Sequence, residues 1–510
     1  MYAQQLASTL WRKSGTPVRL AFFASLATGL LAYMFRLTNT FFTTGDALHN
    51  IWFNGNLIWI GRWSSSWLSS LSTDLTMPYI NGMLVIFAVA ILSALVVALL
   101  DIRSSLLAIL TGGVLMCFPT VSATLGYLHN ADAYMLAAML SVLGFFVLER
   151  VRWGMIPAVV LITIGTGTYQ ACAALVIGLM FVRGVQLIVE TSENAKALWL
   201  RAAKWILCIG LSLILYYLFA QLFSKQAGIA IGDYQSVTEA ASAETLLLIP
   251  KHFIMCYQDF SQQMEWVAST SQNTLLSWMN LIVAAAATIL TFINFFISQK
   301  KPGLRLVALV FLMLLAPFFL CSIRIFNPDK VYSLMTYSAA GIYLLAILMA
   351  DRLPKTCPKE KKVHLAACLM NWLTVLCTTV CVFQWTVTAN ASFYNAALDY
   401  EKMYSQCIKF MDMAENNEDY VGGMPILVVG DMAYNDMRSA PALNETKSYY
   451  AFMADILGAT MPFGVANDIR DRARAIADTP EFVTMSCYPA EDCVQVIEDC
   501  LVIKLGEEVH

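Results

Sequence analysis

Asp46 stands in the stretch TTGDALHNIWFNGNLIWIGRWSS (Thr43–Ser65), an acid among tryptophans and isoleucines, with His49 and Arg62 following it. A carboxylate so placed can take a proton from a hydroxyl. A guanidinium matches a phosphate bidentately and meets the charge that a leaving phosphate gains. The same chemistries recur further along. GYLHNAD (126–132) carries Tyr127, His129 and Asp132, and RIFNPDK (324–330) carries Arg324 and Lys330. Each residue also has a plainer reading. Asp46 fits an N-cap of a helix starting at Ala47, and Asp132 one of a helix starting at Ala133. Arg62 fits a snorkelling anchor, and His49 and His129 fit hydrogen-bonded surface residues. At the level of single residues both readings stand.

The elements that must position these residues are apolar. The chain has 510 residues, 58% hydrophobic and 13% charged, against roughly 25% charged in a soluble protein. Eleven stretches approach the ~20 apolar residues that cross a bilayer. They lie near 17–37, 79–100, 105–125, 132–149, 155–169, 171–189, 203–223, 275–298, 304–322, 332–350 and 364–386. Eleven crossings place the N-terminus inside and the tail outside. The inner loops then hold 18 Lys/Arg and the outer loops six, the positive-inside bias. The first outer loop, 38–78, has apolar residues at helical spacing and Trp52, Trp59, Trp63 and Trp67. It reads as interfacial helices in the headgroup layer. There is no Walker motif and no G-x-G-x-x-G after a strand, and no nucleic-acid partner is indicated. The crossings carry essentially no midplane charge, which counts against an ion-coupled transporter. The chemistry therefore belongs to the outer leaflet, where an activated group is lipid-linked, because nucleotide-activated donors are cytoplasmic. A transporter or flippase of a lipid-linked saccharide is the alternative.

Residues 1–386 hold 24 Lys/Arg and 15 Asp/Glu; residues 387–510 hold 8 and 20. A basic membrane domain is thus followed by an acidic extracytoplasmic one. In the tail, MPILVVGDM, TPEFVTMSCYP and CLVIKLGE read as strands, and SYYAFMADILG and PAEDCVQVIE as helices, giving a small α+β domain. Its cysteines, Cys407, Cys487, Cys493 and Cys500, are expected as disulfides or free thiols rather than zinc ligands. No cofactor is assigned, and a divalent metal at the carboxylates stays open.

The pattern GDALHN…GRWSSSWLSSL…MPYINGML, followed by FPTVSATLGYLHNADAYMLAAMLSVLGFFVLER and GTYQACAALVIGLMFV, resembles the Gtr-type membrane glucosyltransferases that decorate O-antigen. The resemblance covers roughly residues 20–350, with its local motifs within about 45–185. It implies a GT-C type fold and an inverting transfer of glucose from undecaprenyl phosphate to a surface glycan at the outer face of the cytoplasmic membrane. It also implies a partner synthase that loads the lipid and a flippase that turns it over. The family's acidic residue of the first outer loop matches Asp46. Where the family often has adjacent acids, this chain has Gly45 and Ala47, so Asp132 is the candidate second carboxylate.

Overall fold

The computed structural model describes residues 14–43, 45–72, 74–190, 195–232, 250–261, 274–299, 303–327, 331–356, 361–430, 452–454, 456–461 and 466–506. The chain divides into two units. One comprises Met1–Asn39 with Phe53–Asn390, the other Thr40–Trp52 with Ala391–His510.

The first unit is helical. Its long helices are α1 (Thr16–Thr38), then, beyond the short α2 (Gly45–His49, in the second unit) and α3 (Ser65–Ser69), α4 (Pro78–Leu100), α5 (Ser105–Cys117), α6 (Pro119–Gly126), α7 (Leu128–Arg150), α8 (Met155–Thr168), α9 (Ala171–Glu190) and α10 (Ala195–Ala227). After α11 (250–261) come α12 (Thr274–Ser298), α13 (Gly303–Leu314), α14 (Ala316–Leu320), α15 (Ile323–Phe326), α16 (Gly341–Thr356) and α17 (Lys361–Glu415), which continues into the second unit. Prolines open α1, α4 and α6, where a missing N–H costs nothing. Helix α1 packs on α4 and α5, α4 on α7, α7 on α8, and α12 on α16. Close approach needs small residues. A Cβ on Gly112 of α5 would lie 2.5 Å from the Ala21 carbonyl of α1.

Among the described residues, eight helices are long and apolar enough to cross a membrane: α1, α4, α5 with α6, α7, α9, α10, α12 and α17. Three of the eleven expected crossings fall short of the ~30 Å hydrocarbon layer. At 1.5 Å per residue, α8 spans ~21 Å, α13 ~18 Å and α16 ~24 Å. Their runs are broken at Tyr169–Gln170, at Leu315 before Pro317, and by 3-10 turns at Ser333–Met335 and Tyr337–Ala340.

The expected interfacial helices of the first outer loop are three short pieces: α2, a 3-10 turn at Ile58–Ile60, and α3. Gly55 and Gly61, with φ of 71° and 75°, stop a continuous helix. Trp52, Trp59 and Trp67 are exposed, whereas Trp63 is buried and stacks on Phe223 at 5.3 Å, so it belongs to the protein interior. Neither acid is an N-cap: Asp46 lies inside α2, and Asp132 is the fifth residue of α7.

The second unit is built on a three-stranded sheet, β1 (Ile426–Val429), β2 (Val494–Ile497) and β3 (Cys500–Lys504), in the order β1-β3-β2. β1 pairs parallel to β3, with Ile426 beside Leu501, and β2 pairs antiparallel, with Ile497 beside Cys500. Alternate residues face two cores. Ile426, Val428, Leu501 and Ile503 join Leu48, Met403, Cys407, Phe410 and Phe452. Leu427, Val429 and Val502 join Ala473 and Ile476 of α18 (Ala466–Ala477) and Phe482 of α19 (Pro480–Thr484).

Two expectations for the tail are reversed. TPEFVTMSCYP begins with α19, because the Thr479 side chain caps the Phe482 N–H and Pro480 sits at the first position. PAEDCVQVIE is a 3-10 turn followed by β2, closed by a two-residue turn with Glu498 at φ 54°. Of SYYAFMADILG, expected as a helix, residues 452–454 are helical and 456–457 form a turn, while 448–451 and 455 lie outside the described residues. Cys407, Cys493 and Cys500 are buried free thiols and Cys487 is a partly exposed one.

Candidate active site

The segment after the first tryptophan turn is fixed to the ends of α8 and α9. Leu57 and Arg62 form a bridge around the 3-10 turn, and Gly61 closes it in the left-handed region. Ser64 binds the end of α8 through its N–H to Gly167 O (3.2 Å) and its hydroxyl to Ile164 O (2.8 Å). Trp63 lies against Gly167, where a Cβ would fall 2.5 Å from the indole. A glycine on each side of the contact thus sets the backbone of G-R-W, and Arg62 follows from it.

Arg62 lies over a pair of stacked tyrosines. Tyr134 of α7 and Tyr169 are parallel within 6° at 4.2 Å, and the guanidinium carbon is 5.3 and 5.0 Å from their centroids. Such contacts hold a cation in place. Nε donates to Gln170 Oε1 at 3.0 Å, and Nη1 donates to the Tyr134 hydroxyl. Gln170 is itself oriented by donating to Ile60 O (3.0 Å) and Tyr216 Oη (3.3 Å). The Arg62 Nη2 has no acceptor among the described residues, so one edge of the fork is left for a ligand. Burial pushes the Tyr169 phenol well above its usual value, with Arg62 opposing; it is a hydroxyl donor at neutral pH, and its oxygen has no partner among the described residues.

Asp132, two residues before Tyr134 and so turned to the other side of α7, is fully buried with partners of its own. Its Oδ2 accepts from Asn81 Nδ2 of α4 at 3.0 Å and its Oδ1 from the Ala133 N–H at 2.9 Å, with Ser72 as a further donor. Asn81 is held in turn by the Met77 N–H at 2.8 Å. His129 is buried edge-on to Phe53 at 5.2 Å and to Tyr127 at 6.4 Å, and its Nδ1 and the Asn130 Oδ1 have no partner. Arg62, Tyr127, His129 and Asp132 thus all lie toward one end of the first unit's helices, in separate sets of contacts.

The remaining residues are elsewhere. Asp46 belongs to the second unit and is exposed on α2. His49 is in the same short helix, its side chain outside the described part. Arg324 is already engaged by a buried carboxylate, donating through Nε to Asp259 Oδ2 at 2.6 Å and through Nη2 to Oδ1 at 2.5 Å. Lys330 lies outside the described residues. No group of three or more His, Cys, Asp or Glu side chains suited to a metal occurs among the described residues. Sequence reasoning missed Tyr169 and Gln170 as members of the Arg62 cluster and Asn81 as the partner of Asp132. The signal for two of them was present, since Tyr169-Gln170 interrupts the apolar run between α8 and α9.

The family model of the glucosyl transferase GtrII matches residues 34–349. The chain belongs to this family. The match takes in Asp46, Arg62, Asp132, Tyr169, Gln170 and Arg324 and stops short of α17 and the strands. No curated protein and no solved structure matches the chain. Family membership implies a glucosyltransferase, and the apolar helices a membrane protein.

Proposed function

We propose that this chain moves a glucosyl group from a polyprenyl phosphate to a hydroxyl of a cell-surface glycan, such as O-antigen or a wall polymer, at the outer face of the cytoplasmic membrane. The observation that carries the reading is the Arg62 cradle: a guanidinium fixed by Gln170, Tyr134 and Tyr169 with Nη2 unspent. It is preorganised for an oxyanion, as transition-state stabilisation requires. Arg324, by contrast, would have to leave Asp259.

In the proposed step the acceptor hydroxyl gives its proton to the Asp46 carboxylate. Its oxygen bonds to the anomeric carbon as the bond from that carbon to the phosphate oxygen breaks. The electron pair leaves with the polyprenyl phosphate, and Arg62 meets the added charge. A single displacement inverts the anomeric centre. Asp132, Tyr127 and His129 supply polar groups for the sugar, while His49 and Lys330 supplement Asp46 and Arg62. The basic loops at the other end of the helices support a cytoplasmic assignment for that end. A synthase that loads glucose onto the lipid inside and a flippase that turns it outward complete the scheme.

The test is purified protein with polyprenyl-phosphate glucose and candidate acceptors, with and without EDTA, following release of polyprenyl phosphate. Asp46→Asn is expected to lower turnover by about 10²–10⁴-fold, the usual contribution of a positioned base, while the protein stays folded. Near-normal turnover would remove Asp46 from the chemistry.

A further inference from the structure

The loop that carries Asp46 is not folded on its own. Helix α2 has five residues, far below the length at which a helix holds itself in water. Its order must come from packing, and the packing is with the tail. Thr40–Trp52 belongs to the unit of residues 391–510. Leu48 is 2% exposed in the core cluster that contains Met403, Cys407, Phe410 and Phe452. Phe42 packs against the same cluster, with its ring 5.9 Å from that of Tyr400. At about 100° per residue, Asp46 and Leu48 point to opposite sides of α2. When Leu48 is buried, Asp46 is presented outward, as observed. The Asn50 N–H and Nδ2 both bind the Asp46 carbonyl, at 3.1 and 2.7 Å, closing the helix behind the acid.

We infer that the C-terminal unit is the holder of the acidic loop: its core, through Leu48 and Phe42, sets the position from which Asp46 works. Leu48, Met403 and Phe452 are positioning residues. The inference rests on Asp46 being the base proposed above. It gives the 120-residue tail, which the family match does not reach, a part in the reaction.

The test uses full-length protein reconstituted in lipid nanodiscs, with polyprenyl-phosphate glucose as donor. Leu48→Ala removes the anchor from the loop side and Met403→Ala loosens it from the tail side. Both are expected to lower kcat by about 10²-fold, the effect of misplacing a reacting group by an ångström, and to leave the donor KM unchanged. Hydrogen exchange at amides 45–50 should speed up in both variants while that at 62–69 stays as it was. Leu48→Met should restore kcat and exchange. A wild-type kcat in Leu48→Ala, or unchanged exchange at 45–50, overturns the inference. If Asp46→Asn is inactive in the same assay, the base assignment survives that failure; if Asp46→Asn is active, both fall.

Discussion

The two ends of the first unit's helices are both polar, and they differ in what their polar groups have found. At the end formed by the last turns of α4, α7, α9 and α16, donors and acceptors are matched. The Arg352 Nε binds Glu190 (2.6 Å), Nη2 binds Leu100 O (2.9 Å), and Nη1 binds Asp101 O (3.0 Å) and Asp351. Asp351 accepts from the Ser104 N–H at 2.8 Å and the Arg103 N–H at 3.2 Å. Arg150 and Gln186 take the Ala98 and Leu100 carbonyls. The carbonyls that a helix C-terminus leaves open are thereby capped by the Gln186 amide and by arginines, whose charge also suits the dipole. At the opposite end, Tyr169 Oη, His129 Nδ1 and Asn130 Oδ1 are buried with no partner among the described residues, and one edge of Arg62 has no acceptor there. A buried polar atom without a partner costs about 1–3 kcal/mol. On the function proposed above, the matched end is structure and the unmatched end is the one a ligand would complete.

Cutting the matched end should produce the largest loss of folded protein. Arg352→Ala takes the cation from buried Asp351 and from Glu190 and removes the donor to the Asp101 carbonyl. Breaking one side of a buried ion pair costs about 3–5 kcal/mol. The expected outcome is a fall in yield and thermal midpoint, with the surviving folded fraction turning over normally per molecule. Lost turnover at unchanged stability would show that the matched end takes part in the reaction.

Arg62→Ala should give the converse. The guanidinium is half-buried and its fixed contacts are to neutral groups, so its removal should barely move the thermal midpoint. Loss of one preorganised charge-stabilising group costs about 10²–10³ in kcat. Arg62→Lys should not rescue, because an ammonium cannot stack on both tyrosines and bind Gln170 in one geometry. A larger effect on stability than on kcat would make Arg62 an anchor of the loop.

What the sequence disclosed follows from the range of the forces involved. Long apolar runs announce helices at any position, and α1, α4, α7 and α9 stand where hydropathy placed them. The tail was harder to read because its signals compete. In α19 a local cap, Thr479-Pro480, overrides the β-like run that follows it. In β2 the alternation of Val494 and Val496 overrides the acids before it. The continuation of α17 to Glu415 went unread behind the boundary set at 386, although Phe393, Ala396, Tyr400, Met403, Cys407, Phe410 and Ala414 keep a strict three-four spacing. The site was legible in residue type but not in partnership. Nothing within RIFNPDK says that Arg324 meets Asp259, 65 residues away. Nor does GRW reveal that Arg62 reaches Gln170, 108 residues on. Long-range pairing of this kind is set by helix packing, which one sequence does not encode locally.

The smallest expected effect discriminates most finely between the two ends. Tyr169→Phe keeps the stack on Tyr134 and the face beneath Arg62 and removes only a buried hydroxyl with no partner among the described residues. If the unmatched end were structural, that oxygen would contribute to folding, and its loss would lower the thermal midpoint. If it waits for a ligand, its loss relieves a desolvated group, and the midpoint should hold or rise. Substrate should then bind more weakly, by about three- to tenfold in KM for donor or acceptor, the worth of one hydrogen bond. Burial holds the phenol protonated through the neutral range, so it donates throughout, and the ratio of variant to wild type should be flat between about pH 6 and pH 9. A lowered midpoint with an unchanged KM would move Tyr169 to the structural side of the comparison and leave Arg62, His129 and Asn130 at the open end.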